Sequence, residues 1–472
     1  MTTPLPTGIR LRPDRSTLEI DDRLVGGSPR RMMRLSRAGC AAWQELMSGP
    51  IRTAAGAALG RRLTDAEFAH PLPGPATAQA GVTVVIPVRD RAPGLDRCLR
   101  SVHPRCDVVV VDDGSVDAGA VERVAGRHGA RLVRRDRNGG PAAARNAGLS
   151  DVTSPFVAFL DSDCVASDGW IERLSGHFAD PLVAAVAPRI QPAGAKAASY
   201  LATCGVLDLG DAPALVRPGG RVSYVPTAAL VVRRSALAAI ATRDDVFDPE
   251  LRYGEDVDLV WRLVGAGWRV RYEPAVVVTH REEGGWRERA VRRFAYGTSA
   301  APLSQRHPEA LAPIVVLPLP ACVVLAGFLR RPRLALLATI ACAGSTSRIL
   351  ARAGLTELGT GRTTLRAISA TWLSFSRYAA QFSMPAVLAV VATPGRSASR
   401  SPWLRRIAGV SVLVGAPMVA WRASQPRCSW ARFVSGRVVD ECSYGAGVYW
   451  GCIRRRTFAP LVPRFRRPTR WI

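Results

Sequence analysis

The chain has 472 residues, a net charge of +26 and a pI near 11.1. A hydrophobic share of 48% excludes a disordered chain, and the length suggests two to four domains. Ten scattered cysteines, with no C-x-x-C pair and no histidine cluster beside them, argue against a disulfide framework or a zinc site and fit a reducing cytosol.

The first residues lack an apolar stretch, so no secretory signal is expected. Ile9 to Leu24 alternates and carries Asp21-Asp22 and Gly26-Gly27, which predicts short strands with turns. Arg30 to Met47 places Met32, Met33, Leu35, Ala38, Ala42, Trp43, Leu46 and Met47 at helical spacing. Pro71, Pro73 and Pro75 read as a linker closing a small unit over residues 1–75. The pattern then changes. Residues 82–88, 106–115, 132–133 and 155–163 are strand candidates built on apolar runs and separated by helical stretches, as in a largely parallel α/β sheet. Polar residues stand where those runs end: Arg89-Asp90, Asp112-Asp113 and Asp161-Ser162-Asp163. Ligands of such sheets bind beyond the carboxyl ends of the strands. This second domain is expected over residues 80–305.

From residue 306 the chain is apolar and basic. Leu311–Leu329 has 19 residues without a charge, enough to cross hydrocarbon, and Leu334–Cys342, Met384–Thr393 and Ile407–Trp421 are shorter apolar stretches. Twenty of the 26 net charges fall after residue 310, all arginine against Glu357, Asp440 and Glu441, so phosphate of a lipid surface or of nucleic acid is the natural partner. Lys196 is the only lysine, which points to a coding bias toward arginine. No nucleic-acid module accompanies the charge, and the arginines lie among apolar residues and Trp421, Trp430, Trp450 and Trp471, which favours a membrane surface. If Leu311–Leu329 spanned once from the cytosol, Arg330-Arg331-Pro332-Arg333 would lie outside, against the positive-inside tendency. Pro313, Pro318 and Pro320 also interrupt that helix. An interfacial or re-entrant hairpin is therefore expected.

Six segments carry candidate chemistry, and each also has an ordinary structural reading. Asp161 and Asp163, two apart after an apolar strand, suit a hard divalent cation such as Mg2+ or Mn2+; the alternative is an acidic turn. Asp112 and Asp113 suit a base or ribose, or a strand-end turn. Gly139 and Gly140 permit close backbone approach and Arg145 suits phosphate, or the stretch is a loop starting a helix. Glu255 and Asp256 open a helix, as a base or as dipole-favoured acids. His280 ends an apolar run, as a metal ligand or as a hydrogen-bonded edge residue. Arg292 and Arg293 suit a diphosphate, or a solvated basic helix face.

Taken in order, VVIPVRDR, VDDGS, NGGPAAARNAGL, FLDSD, PTAALVVRRSAL and GEDVDLVWRL closely resemble the successive blocks of family 2 glycosyltransferases over roughly residues 82–300. The resemblance implies a GT-A nucleotide-sugar fold, with Pro87, Asp90, Asp112, Asp113, Gly139, Arg145 and Asp161 at the donor, Asp161, Asp163 and His280 at a metal, and Asp256 beside Glu255 as catalytic base. Two departures stand out. Arg89-Asp90-Arg91 replaces the common tyrosine–asparagine, and the Q-x-x-R-W block of processive synthases is missing. The arrangement of the whole chain is similar to glycosyltransferases that decorate peptide-derived redox cofactors in actinobacteria. The N-terminal stretch is loosely similar to small winged-helix peptide-recognition domains. These similarities imply inverting transfer of glucose from UDP-glucose to a peptide-derived small-molecule acceptor, building a short β-linked chain at the cytoplasmic face of the membrane. The alternative is a cell-envelope sugar transferase with a lipid-linked or glycan acceptor.

Overall fold

The computed structural model describes residues 3–74, 81–102, 106–193, 200, 204–243, 245–281, 284–311, 314–384, 387, 389, 402–424, 426 and 428–465. It divides into two compact units, residues 1–195 with 204–283, and residues 196–203 with 284–471. The division falls at 283/284 and not at 305, so the helices following Gly285 belong with the C-terminal ones. The N-terminal residues fall in the same compact unit as the sheet.

The N-terminal part contains β1 (Arg10–Pro13), β2 (Leu18–Ile20), β3 (Arg23–Gly26), β4 (Arg31–Arg34), α1 (Arg37–Ser48), α2 (Ala54–Asp65) and β5 (Ala69–Leu72). β2, β3 and β4 form a small antiparallel sheet, and β1 pairs with β5. The helix expected from Arg30 starts later. Met32 and Met33 pair with Val25 and Leu24 in the hairpin, and Ser36 caps α1 by accepting the Gly39 N–H. Pro71 is not linker but part of β5, an edge position where a missing N–H is tolerated; Pro75 lies outside the described residues. Trp43, Leu46, Leu59, Leu63 and Phe68 form the local core.

Beyond it, β6 (Val82–Val88), β7 (Asp107–Asp113), β8 (Arg131–Arg135), β9 (Phe156–Leu160), β10 (Cys164–Ala166), β11 (Val183–Pro192), β12 (Ala214–Val216), β13 (Ala229–Arg233) and β14 (Arg269–His280) build a nine-stranded sheet. Its order is β10-β14-β11-β13-β9-β6-β7-β8, with β12 also on β14. Strands β6, β7, β8, β9, β11 and β14 run one way, and β10, β12 and β13 run against them. The expected α/β fold with a largely parallel sheet is present. Its helices include α3 (Ala92–Val102), α4 (Ala118–Arg127), α5 (Gly140–Ser150), α6 (Trp170–Ser175), α7 (Arg234–Ile240) and α8 (Glu255–Gly265). Helix cover explains the continuous apolar runs: Val84, Ile86 and Val110 of the sheet are buried against Leu95, Leu99 and Val121 of α3 and α4.

Three bidentate ion pairs join the N-terminal part to the sheet domain. Arg61 donates to both oxygens of Asp180 at 2.8 Å, Arg269 to both of Asp65 at 3.0 and 2.8 Å, and Arg221 to both of Asp14 at 2.7 and 3.0 Å. Arg61 is 1% exposed. Arg271 of β14 is buried in the same region, and its guanidinium has no hydrogen-bond partner among the described residues.

The second unit is helical: α9 (Trp286–Thr298), α10 (Ala300–Arg306), α11 (Pro318–Phe328), α12 (Pro332–Ala353), α13 (Thr360–Phe382), α14 (Pro402–Ser424) and α15 (Trp430–Arg455). Short strands Val315–Val316 and Arg464–Phe465 pair in parallel. Leu311–Leu329 is not one long helix, because Pro318 and Pro320 set the start of α11. Eleven residues rise about 16 Å, too short to cross hydrocarbon. Among the described residues the candidate span by length and composition is α12, whose most apolar window is 11% buried. Most of Met384–Thr393 lies outside the described residues.

α9 and α15 approach at backbone distance. A Cβ at Gly447 would sit 1.9 Å from the Phe294 carbonyl oxygen. A buried pair crosses the same contact: Arg289 donates to both oxygens of Asp440 at 2.8 Å, and the Tyr200 hydroxyl donates to Asp440 at 2.7 Å. Arg293 lies over the Tyr444 ring and donates to the Asp440 carbonyl at 3.5 Å, so it serves this packing.

Candidate active site

Strands β6, β7, β9 and β14 share a direction, so Val88, Asp113, Leu160 and His280 end at one edge of the sheet. β13 runs the opposite way and starts at that edge, and Asp161 N–H donates to Ala228 O at 3.0 Å just before it. The residues singled out from the sequence, Arg292 and Arg293 apart, lie on the elements that meet at this edge.

Pro87 is half-buried in β6 opposite Val111. Asp90 takes a left-handed conformation (φ 53°), which aspartate tolerates better than most residues. Its N–H donates to Ser115 Oγ at 2.9 Å, and its Oδ1 accepts the Val116 N–H at 2.7 Å. Asp90 thus ties two loops together. Asp112 is fully buried, accepting the Ser115 N–H at 3.0 Å and Arg134 at 3.0 Å, which makes it an internal brace. Asp113 accepts the Gly139 and Gly140 N–H groups at 3.0 and 2.8 Å and also pairs with Arg135. Gly140 holds φ at +85°, a turn that only glycine adopts freely, and this turn presents the start of α5 to Asp113.

Arg145, on α5, is 3% exposed and does not offer its guanidinium to solvent. Its Nη1 donates to Glu255 Oε1 at 2.9 Å and its Nη2 to Asp161 Oδ1 at 2.7 Å, with the Phe247 ring 5.8 Å away. It brackets the Asp161 turn to the Glu255–Asp256 turn: the buried Arg145 charge is balanced by buried Glu255 and by the half-buried Asp161. Asp163 pairs with Arg91 Nη1 at 2.5 Å and lies 3.4 Å from His280 Nε2. Burial pushes the Asp163 carboxyl up, but the His280 and Arg91 partners hold it below its ordinary range. Burial pushes Glu255 up against the pull of Arg145. Asp256 is the second residue of α8; among the described contacts its carboxylate accepts the Val257 N–H at 2.8 Å, and desolvation together with the adjoining Glu255 carboxylate pushes it up to about 7.

Among the described residues no group of three His, Cys, Asp or Glu forms a ready metal cage. Two carboxylates at the open edge suit Mg2+ or Mn2+, which bind through one or two carboxylates and leave positions for phosphate. The donor set therefore fits such an ion.

Sequence reasoning missed three site residues. Ser115 links Asp90 to Asp112, Phe247 lies beneath Arg145, and Arg91 occupies Asp163. Only Arg91 left a signal, as part of the unusual Arg-Asp-Arg. Arg292 and Arg293 stand on α9, in the second unit.

The model of the family described as Glycosyl transferase family 2 matches residues 83–238. Over 490 aligned residues the chain is 37% identical to the Pre-mycofactocin glycosyltransferase of Mycobacterium tuberculosis, covering 98% of this chain and 99% of that protein. Succinoglycan biosynthesis protein ExoU of Rhizobium meliloti is 30% identical over 217 residues, 42% of this chain and 60% of that protein. A solved mannosyltransferase from Pyrobaculum calidifontis, in complex with GDP-Man and Mn2+, aligns with TM-score 0.39 and 22% identity over 64% of this chain and 87% of that one.

Proposed function

Since this chain belongs to the family 2 glycosyltransferases, we propose that it moves glucose from UDP-glucose onto a peptide-derived mycofactocin precursor, with inversion, building a short β-linked oligosaccharide. The acceptor class rests on the end-to-end similarity to the pre-mycofactocin enzyme, and the donor sugar on the family resemblance. The chemistry rests on Asp256. A carboxylate raised to about 7 at the strand-end edge takes a proton near neutral pH more readily than an ordinary aspartate. Asp256 accepts the proton of the acceptor hydroxyl as its oxygen attacks the anomeric carbon, while the nucleotide diphosphate leaves from the opposite side. Glu255 and Arg145 fix the turn that presents it. Asp113 and the Gly139–Gly140 turn shape the nucleotide side. Asp161 and Asp163, with His280 beside them, would hold a divalent ion, which when bound supplies neutralisation of the departing diphosphate. Purified protein incubated with UDP-glucose and the precursor should yield hexose-bearing product by mass spectrometry. Asp256→Asn should cut turnover about 10²–10⁴-fold while donor binding persists. A near-normal rate in that variant would reject the role.

We also propose that the second unit docks on the cytoplasmic face of an anionic membrane. Leu334, Leu336, Leu337 and Ile340 of α12 are exposed, and arginines flank that helix at 330, 331, 333 and 352. The same face favours a second reading, a cell-envelope transferase with a lipid-linked or glycan acceptor. The product assay run with each acceptor separates the two.

A further inference from the structure

The Asp161-Ser162-Asp163 turn already carries two arginines, and they differ in kind. Arg145 is enclosed, its two terminal nitrogens spent on Glu255 and Asp161. Arg91 has a side chain 44% exposed, and among the described residues its guanidinium donates to Asp163 Oδ2 at 2.5 Å. Its backbone is anchored: the Arg91 carbonyl accepts the Leu95 N–H at 3.0 Å at the start of α3, and Asp90 before it is tied to Ser115 and Val116. A fixed backbone at the mouth of the site with a long, exposed side chain describes a group that can change partners without moving its loop.

Arg91 and a divalent cation compete for Asp163 Oδ2. Like charges brought to one carboxylate repel, so a cation that binds there weakens the hold on the guanidinium and favours its release. The released group is a planar fork matched to phosphate oxygens. The diphosphate of a nucleotide sugar brings such oxygens to this edge. We propose that Arg91 is an exchangeable counter-ion of the Asp161–Asp163 turn: it occupies Asp163 when donor and cation are absent, and turns onto the donor diphosphate when a cation takes Asp163. The inference rests on the reading of Asp161 and Asp163 as cation ligands given above. It makes Arg91 an antagonist of the cation alone and an ally of cation and nucleotide together, two effects of opposite sign from one side chain.

Calorimetric titration of Mn2+ alone, and of UDP at saturating Mn2+, into wild type, Arg91→Ala and Arg91→Lys tests this. Arg91→Ala should bind Mn2+ about tenfold more tightly and UDP with Mn2+ about tenfold more weakly. Arg91→Lys keeps the charge but not the fork, so it should stay near wild type for Mn2+ and still lose affinity for UDP. Unchanged or weaker Mn2+ binding in Arg91→Ala overturns the exchange, as does unchanged UDP binding. Asp163→Asn, made in the wild-type and Arg91→Ala backgrounds, reports on the underlying reading. It should weaken Mn2+ binding in both. If Mn2+ binds equally well without the Asp163 carboxylate, the ligand assignment itself fails and the proposal falls with it.

Discussion

At the scale of single residues, the edge of the sheet sorts carboxylates by what surrounds them. Asp112 and Asp113 spend their oxygens on neighbouring N–H groups and arginines, so their work is architectural before any ligand arrives. Asp256 is the opposite case, half-buried beside another acid and raised to about 7. A base must be deprotonated to act. The rate of transfer measured as kcat/KM for the acceptor should therefore fall about tenfold per pH unit below about 7 and level off above it. A flat profile from about pH 6 to pH 8 would remove Asp256 as the group being titrated. The positions of Asp161, Asp163, Glu255 and Asp256 were legible in the sequence because each follows or opens a strongly patterned element. The bracket made by Arg145 was not. It joins residues 110 apart in the chain, and nothing local marks a guanidinium as enclosed.

Among the elements, the strands of the sheet domain were readable because burial on both faces leaves a continuous apolar run. The N-terminal hairpin was misread for a physical reason. Met32, Met33 and Leu35 fit helical spacing as well as strand pairing, and the decision was made by contacts to Leu24 and Val25 that lie outside the window. In the second unit, the α9–α15 contact depends on a missing side chain. Gly447→Val would drive branched atoms into the Phe294 carbonyl and should cost about 1–3 kcal/mol, read as a lower thermal midpoint. Gly344, on α12, has open space around its missing Cβ. Gly344→Ala should be stabilising by up to about 1 kcal/mol through helix propensity, and equal losses in both variants would refute a contact-specific role for Gly447.

For the molecule as a whole, the GT-A domain and the helical unit make separate predictions. The helical unit should float with vesicles containing anionic phospholipid and remain behind with neutral ones, and raised salt should release part of it. Equal recovery with both lipids would dismiss the arginine rim as a membrane contact. The ion pairs between the N-terminal part and the sheet domain make another. Arg61→Ala strands the Asp180 carboxylate in a buried setting and should destabilise the protein by about 3–5 kcal/mol in denaturant titration. That seam also governs how the chain tolerates being rearranged. A chimera that grafts the first 75 residues of a relative onto this catalytic core inherits its tenants: Asp180, Arg221 and Arg269 will accept only a graft that brings its own Arg61, Asp14 and Asp65 in register. Trimming the same residues away would leave those three charges facing an emptied wall, so shortened versions should be built by cutting elsewhere.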